Sequence, residues 1–529
     1  MSNPATRIAR LRLTRRACLG MLAAAAIAMT MAPERASAAR APDAPLVAAF
    51  TRELLTLDNF NSTSRDNEII SLLIDDALFY IDPQTKQPVP LIAASYAMPD
   101  PLTLDVTIRD DVTFHDGRPV EAADVAYTFQ TLLKPGNTAL KAGAFALWLA
   151  SVETVSDKVV RFHMKQPNPL ALHSLSTAGR VVPRGTYDDP DAPGGINAQA
   201  QANRMIGAGP YRVVSFLPGR ELVIERYDGY RSDSPKGAPS VARMQFRIIP
   251  DPATQAAEVM AGGVHWTYGL PTDIVEEVAS TGRAQAMSSP SMRIGYLIPD
   301  AAGRAGEHAL RDPRVREALS LAIDRDLIVK QLVRGGGKPA YTPCLPAQFG
   351  CPQDVPQPHY DPARAKALLA EAGYASGLRL DLWASREKEP LEAVVEMWRS
   401  VGVNANLRLV KSPAMNKARD ENSLNLYFEN NGSVGIADVG AILPGQFGRG
   451  APSDWHHDEA LYPLVEGLLQ TTDAQERLAL ARSAITRINE QTYWIPLYEF
   501  TQNFLLAPDL EYVQSDDGMP RLFLARWRQ

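Results

Sequence analysis

The densest set of ligating side chains in the sequence is Asp454, His456, His457, Asp458 and Glu459. Imidazoles and carboxylates are the usual ligands of zinc and related cations. Adjacent histidines on regular structure point apart, however, so one ion would not collect both. The segment reads instead as a solvated loop. His115 and Asp116 offer an acid/base pair, but Asp116-Gly117 falls between a strand and a helix beginning near Ala122 and reads as a turn. Gly335, Gly336, Gly337 and Lys338 have the composition of a phosphate loop without its spacing, and Pro339 stands where a hydroxyl is required. Gly207-Ala208-Gly209-Pro210 reads as a turn, not a dinucleotide loop. No G-x-S-x-G elbow, H-E-x-x-H pair or C-x-x-C step occurs. The expectation is a protein with no catalytic residues, no cofactor and no metal.

Cysteine and charge point to a compartment. Residues 1–38 hold six of the 54 basic residues and one of the 60 acidic ones, so the rest carries a net charge of −11. An acidic body gives no footprint for nucleic acid or anionic lipid. The first segment runs Thr14-Arg15-Arg16-Ala17-Cys18-Leu19, then an apolar stretch to Ala32, then Ala36-Ser37-Ala38. That is the order of an export signal with a small-residue cleavage site near Ala38. The paired arginines suggest the twin-arginine route, with the general secretory route as the alternative. An uncleaved anchor is the other reading, but the apolar stretch is shorter than the roughly 20 residues a spanning helix needs. Cys18 leaves with the signal. Cys344 and Cys351 remain, in a Pro-rich loop from Pro343 to Pro358. In an oxidising compartment they read as one short-loop disulfide, with two free thiols as the alternative.

The elements are legible from periodicity. Leu102 to Ile108, Val160 to Met164 and Met244 to Ile248 alternate apolar and polar residues, as half-buried strands do. Val315, Ala318, Leu319, Ala322 and Ile323 form a helical stripe. Asp312-Pro313 and Asp361-Pro362 supply a cap followed by proline at the first helical position, and Gly373 closes the second helix. Leu378 to Leu382, a stripe over Leu391, Val394, Val395 and Trp398, and Val403 to Leu409 make a strand, helix and strand, so those strands should be parallel. Tyr493 to Phe504 reads as a strand returning to an earlier part of the molecule. The class is mixed α/β.

Several motifs resemble one family. Thr113-Phe114-His115-Asp116-Gly117-Arg118-Pro119-Val120 with Ala123-Asp124-Val125 comes first, then Gly207 to Tyr211 and Tyr227 to Tyr230. Asp312 to Arg316 with Ala322 to Arg325, Tyr360 to Tyr374, and Trp494 to Tyr498 follow in the same order. Together they resemble the family 5 solute-binding proteins, the peptide- and nickel-type receptors of ABC importers, over about 45 to 510. The resemblance implies a two-lobed periplasmic-binding-protein fold of class II, cluster C type, with an extra β-rich subdomain in the first lobe. The segments expected are 1–38 signal, 43–80 first lobe, 81–204 extra subdomain, 205–290 first lobe, 291–495 second lobe and 496–529 first lobe again. It also implies a periplasmic monomer that captures a peptide, or a peptide-like, amino- or sugar-derived solute, and hands it to permease subunits of the importer. No nucleic-acid partner is expected.

A cleft of this kind needs aromatic walls and a few fixed polar groups. The loops expected to face it carry Asp58, Asn59 and Phe60, then Trp266 and Tyr268. Trp383, Ser385 and Arg386 end a parallel strand at its carboxyl end, where ligands gather in α/β sheets. Asn430, Asn431, Ser433 and Asp438 follow another strand. Asp438 lacks the proline common beside the family's aspartate at this place, and Pro299-Asp300 replaces the family's usual Asn-Thr, so both depart from a simple peptide binder. Two rival functions use the same cleft: a secreted hydrolase working through Glu429 and Asp438, and a chemoreceptor adaptor or holdase without a transporter.

Overall fold

Two long strands, Gln285–Pro299 and Ile495–Leu506, lie side by side and antiparallel, and everything else is arranged to one end of them or the other. Their register runs from Gln285 opposite Leu506 to Leu297 opposite Ile495, but breaks between Pro290 and Ile294. Met292 sits in the break with φ +50°, a left-handed conformation that a side chain with a Cβ seldom adopts. The computed structural model describes residues 44–528, apart from 63, 198, 204, 307, 433 and 434. The export-signal reading, with Cys18, lies outside the described residues.

On one side of the break, Trp266–Tyr268 pairs with the end of Ile495–Leu506. Leu46–Phe50 follows in parallel, then Arg243–Ile248, also parallel, and the antiparallel pair Glu221–Arg226 and Tyr211–Leu217 closes that edge. On the other side, Leu426–Gly432 pairs antiparallel with Gln285–Pro299. Leu378–Ala384 and Val403–Leu409 complete that edge and are parallel, in register from Leu378/Val403 to Ala384/Leu409. Lys388–Ser400 connects them and buries Leu391, Val394, Val395 and Trp398. The Trp398 indole donates to the Leu319 carbonyl at 2.9 Å, tying this unit to the helix Pro313–Leu321. The strand, helix and strand therefore fall as the spacing predicts.

The two halves have separate cores. Phe50, Phe246, Trp266 and Phe504 pack in the first. In the second, Tyr296 stacks on Trp494 with ring centres 3.5 Å apart, and Leu382, Trp398 and Tyr498 pack in a neighbouring cluster. A third core lies under a separate antiparallel sheet of Ala93–Asp100, Thr103–Ile108, Val159–Met164 and Leu149–Ser156, covered by the helix Ala122–Leu133. The fold is two α/β lobes joined through one pair of strands, with a β-rich unit appended.

The motifs read as architectural serve that purpose. Asp312 and Asp361 cap the helices that begin at Pro313 and Pro362 by accepting from the N–H of Arg314 and Arg364. Gly117 turns at φ +86°, and the His115 ring bonds the Gly209 carbonyl at 3.0 Å. Gly207 and Gly209 press against the Ile74 carbonyl, where a Cβ would lie 2.2 and 2.7 Å from its oxygen. Lys338–Pro339 pairs with Ile495–Leu506 rather than forming a phosphate loop. Cys344 and Cys351 are joined as a disulfide, their Cα atoms 5.8 Å apart. No helix among the described residues is long and apolar enough to cross a membrane.

Candidate functional site

The break in register opens onto a cavity of about 300 Å³. Its wall comes from both lobes and from the joining strands. Arg65 begins the helix Arg65–Ile74, whose first turn is fixed by Ser64 accepting from the Asn67 N–H. Arg293 rises from the joining strand at the break, opposite Gly432. Arg386 follows the parallel strand Leu378–Ala384, and Arg52 follows Leu46–Phe50. Four guanidinium groups thus share one cavity.

Arg65 is held by Gln502 at 3.1 Å and by the Gly518 carbonyl at 2.5 Å, both neutral acceptors. Among the described residues, no carboxylate stands within ion-pair distance of Arg52, Arg65, Arg293 or Arg386. Burial pulls the Arg293 guanidinium below its ordinary range, and the charges of Arg65, Arg386 and Arg52 add to the effect. Arg65 is lowered likewise, by burial first. The acids nearby are engaged elsewhere. Glu387 accepts from the Tyr498 hydroxyl at 2.9 Å, and Asp66 accepts from the Tyr268 hydroxyl. Burial raises both carboxyls.

A second cavity of about 380 Å³ adjoins the first, and Glu68 and Gly432 belong to the walls of both. Phe145, Trp148 and Leu170 line it from the β-rich unit, and Ile436, Ala441 and Leu469 from the second lobe. Glu68 is a fixed divider. Its carboxylate accepts from Lys141 and, at 3.2 Å, from Asn59, while Lys141 also donates to Asn59 at 2.5 Å. All three are buried.

Of the residues expected at the cleft, Tyr268, Arg386 and Asn430 line the arginine-rich cavity. Asn431 lies one position from its wall, its side-chain oxygen accepting from the Gly432 N–H at 2.8 Å. Trp383 is half-buried with the Arg408 guanidinium 5.2 Å over its ring, and Ser385 is half-buried beside it. Ser433 lies outside the described residues. The others turn inward, contrary to expectation. Asp58 accepts from the Phe60 N–H, the Asn61 amide and the Tyr187 hydroxyl, and so caps a turn. Asn59 is spent on Glu68 and Lys141. Phe60 packs on Tyr187 with ring centres 5.8 Å apart. Trp266 is fully buried among Phe50 and Phe504. Asp438 is gripped on both oxygens by Arg477, at 2.7 and 3.0 Å, and also accepts from the Gly440 N–H. It is therefore not free to pair with Glu429 in hydrolysis.

The segment 454–459 is not the solvated loop its composition suggested. Asp454, His456 and Asp458 are buried. Asp454 accepts from the Tyr462 hydroxyl at 2.6 Å, and Asp458 from Arg487 and from the Tyr493 hydroxyl at 3.0 Å. Internal partners, rather than water, satisfy these two carboxylates. Among the described residues no group of three such side chains is placed to hold a metal.

Sequence reasoning missed Arg52, Arg65, Arg293 and the whole apolar cavity. Arg293 carried one signal: a lone charge inside the otherwise apolar run from Met292 to Ile298. Arg65 carried none, because a basic residue in a first helical turn is ordinary.

Two lobes, one pair of joining strands and cavities between their parts are the architecture of a two-lobed binding protein. Residues 87–450 match the family described as bacterial extracellular solute-binding proteins, family 5 Middle, and the chain belongs to that family. The glutathione-binding protein GsiB of Salmonella paratyphi A is 25% identical over 502 residues, spanning 90% of this chain and 92% of that one. GsiB of Escherichia coli O1:K1 / APEC is 24% identical over 470 residues, 85% of this chain and 88% of its own. Among solved structures, NikA from Brucella suis in complex with Fe(III)-EDTA superposes with a TM-score of 0.81 at 22% identity, covering 92% of this chain and 100% of that one. The ABC transporter substrate-binding protein CtaP from Listeria monocytogenes gives 0.80 at 20% identity, covering 92% and 99%. These structures share the two-lobed fold.

Proposed function

We propose that the protein is the exported, monomeric receptor of an ABC importer, and that it captures a small peptide-like solute between its lobes and delivers it unchanged to the permease. One observation carries this reading: the arginine-lined cavity lies where Gln285–Pro299 and Ile495–Leu506 lose register, and the cavity beside it is walled by the β-rich unit on one side and the second lobe on the other, so movement of the lobes about the joint changes both. Family membership and relatives named for glutathione binding and ABC transport support it.

On this reading, residues 1–38 are the signal, cleaved near Ala38 on the way to the periplasm. Residues 43–80, 205–290 and 496–529 make the first lobe, 81–204 its β-rich extension and 291–495 the second lobe. Tyr268, Arg386, Asn430 and Asn431 face the ligand. No residue performs a covalent step.

Native mass spectrometry of protein purified without refolding tests the proposal, together with small-angle scattering with and without added ligand. One small molecule per chain, recovered intact, and a smaller radius of gyration on binding are expected. A chemically altered ligand, or a ligand-bound form with unchanged dimensions, would overturn it.

A further inference from the structure

We infer that the solute is an amphiphilic anion, carrying at least two carboxylates or equivalent anionic groups for the arginine-lined cavity and an apolar arm for the cavity beside it. The inference deepens the receptor reading and rests on it.

The anionic half follows from four guanidinium groups around one cavity, none of them in direct ion-pair contact with a carboxylate among the described residues. Arg52, Arg65, Arg293 and Arg386 border one space of about 300 Å³. Of the acids close by, Glu68 is neutralised by Lys141, Glu387 is bonded to Tyr498, Asp66 to Tyr268, and Asp517 is doubly bonded by Arg521. Glu429 accepts from its neighbour's backbone N–H. Like charges brought together without a counter-ion repel, and the repulsion grows as water is excluded. A guanidinium presents paired N–H donors that match a carboxylate or phosphate fork. One monoanion cannot serve four such groups. Two of them stand on the first lobe, one on the joining strand and one on the second lobe, so a ligand with two anionic groups would also pull the lobes together.

The apolar half follows from continuity. The second cavity meets the first at Glu68 and Gly432, and Phe145, Trp148, Leu170, Ile436 and Leu469 form the apolar part of its wall, beside Gln166 and Asn168. Leu147, 79% exposed, stands on its rim. Gly432 has no side chain to obstruct the passage on that flank. A molecule seated on the arginines is therefore adjacent to an apolar chamber spanning the β-rich unit and the second lobe, and burying an arm there removes both surfaces from water.

The test uses four probes in calorimetry with the mature protein: N-benzoyl-L-glutamate, its dimethyl ester, glutarate and N-benzoylglycine. N-benzoyl-L-glutamate should bind at one site per chain, at least about tenfold more tightly than glutarate, which lacks the arm, or N-benzoylglycine, which lacks the second carboxylate. The ester should not bind. Arg52→Gln and Arg386→Gln, at exposed positions that spare the fold, should each weaken N-benzoyl-L-glutamate by about tenfold. Leu469→Asn should weaken N-benzoyl-L-glutamate and leave glutarate unchanged. The inference fails if the ester binds as well as the diacid, if neither diacid binds, or if the arginine variants bind as the wild type does. Saturable binding of the ester would leave the receptor reading standing, whereas release of benzoate would remove that reading as well.

Discussion

Arg293 lies across Gly432: a Cβ built at position 432 would stand 2.9 Å from the Arg293 Cγ and 3.2 Å from the Met292 carbonyl. The two residues face each other on neighbouring strands, at the edge of the joint between the lobes. Gly432→Ala should therefore displace the Arg293 side chain from the cavity wall while leaving both cores untouched. Ligand affinity should fall by about tenfold with a stability loss of no more than about 1–3 kcal/mol. Calorimetry beside urea melts checks it, and unaltered affinity would show that Arg293 is not positioned by this contact.

Asp438 gives the opposite pattern. Arg477 and Asp438 are both buried, so removing the acid strands a cation in the second lobe. Asp438→Ala should destabilise by about 3–5 kcal/mol. At temperatures where the variant is still folded, ligand affinity should stay within about twofold, a difference of about 0.4 kcal/mol. Thermal melts and calorimetry on the same preparation separate this from a ligand contact, which would lose affinity first.

How far the sequence reveals this protein depends on how far apart the deciding residues lie. Asp312 and Pro313 are neighbours, and so are the alternating residues of Val159–Met164, so caps and strands were legible locally. The parallel pairing of Leu378–Ala384 with Val403–Leu409 was legible because one helix must return the chain. Arg65 and Gln502 are separated by 437 residues, and no local pattern reports that they touch. Trp266 shows the same blindness. An aromatic after Gly262-Gly263 reads alike as wall or core, and only Phe50 and Phe504, from distant strands, decide for core. Asp454 and Asp458 looked solvated because their partners Tyr462, Arg487 and Tyr493 lie on later elements.

His115 makes stability depend on acid. Its Nδ1 accepts from the Gly207 N–H at 3.3 Å, so Nε2 carries the proton and donates to the Gly209 carbonyl at 3.0 Å. Burial pushes the imidazole down to about 4, against about 6.5 when unfolded. Between those values the unfolded chain binds a proton that the folded chain refuses. The contribution is therefore complete above about pH 6.5 and is lost as pH falls toward 4, on the order of 3 kcal/mol in all. His115→Gln should be less stable than the wild type at pH 7.5, and the gap should shrink steadily by pH 4.5. Urea melts across that range measure it, and a constant gap would mean that the imidazole titrates alike in both states.

Gly518 ties the C-terminal segment to the joint. It has φ +73°, and a Cβ there would lie 2.6 Å from the Ser291 carbonyl oxygen, one residue from the register break at Met292. The loop cannot retreat, because Asp517 is bonded twice by Arg521, itself buried and bonded to the Tyr80 hydroxyl at 2.8 Å. The Gly518 carbonyl in turn holds Arg65. Gly518→Ala meets both a left-handed backbone penalty of about 1 kcal/mol and a backbone contact that no rotamer relieves. Melting temperature and ligand affinity should fall together as the loop lifts and Arg65 loses its acceptor. Gly518→Asn separates the two causes. Asparagine tolerates the left-handed conformation but still carries a Cβ, so it should bind as weakly as alanine if close approach to Ser291 governs. Recovery of wild-type affinity by asparagine would instead assign the effect to φ alone.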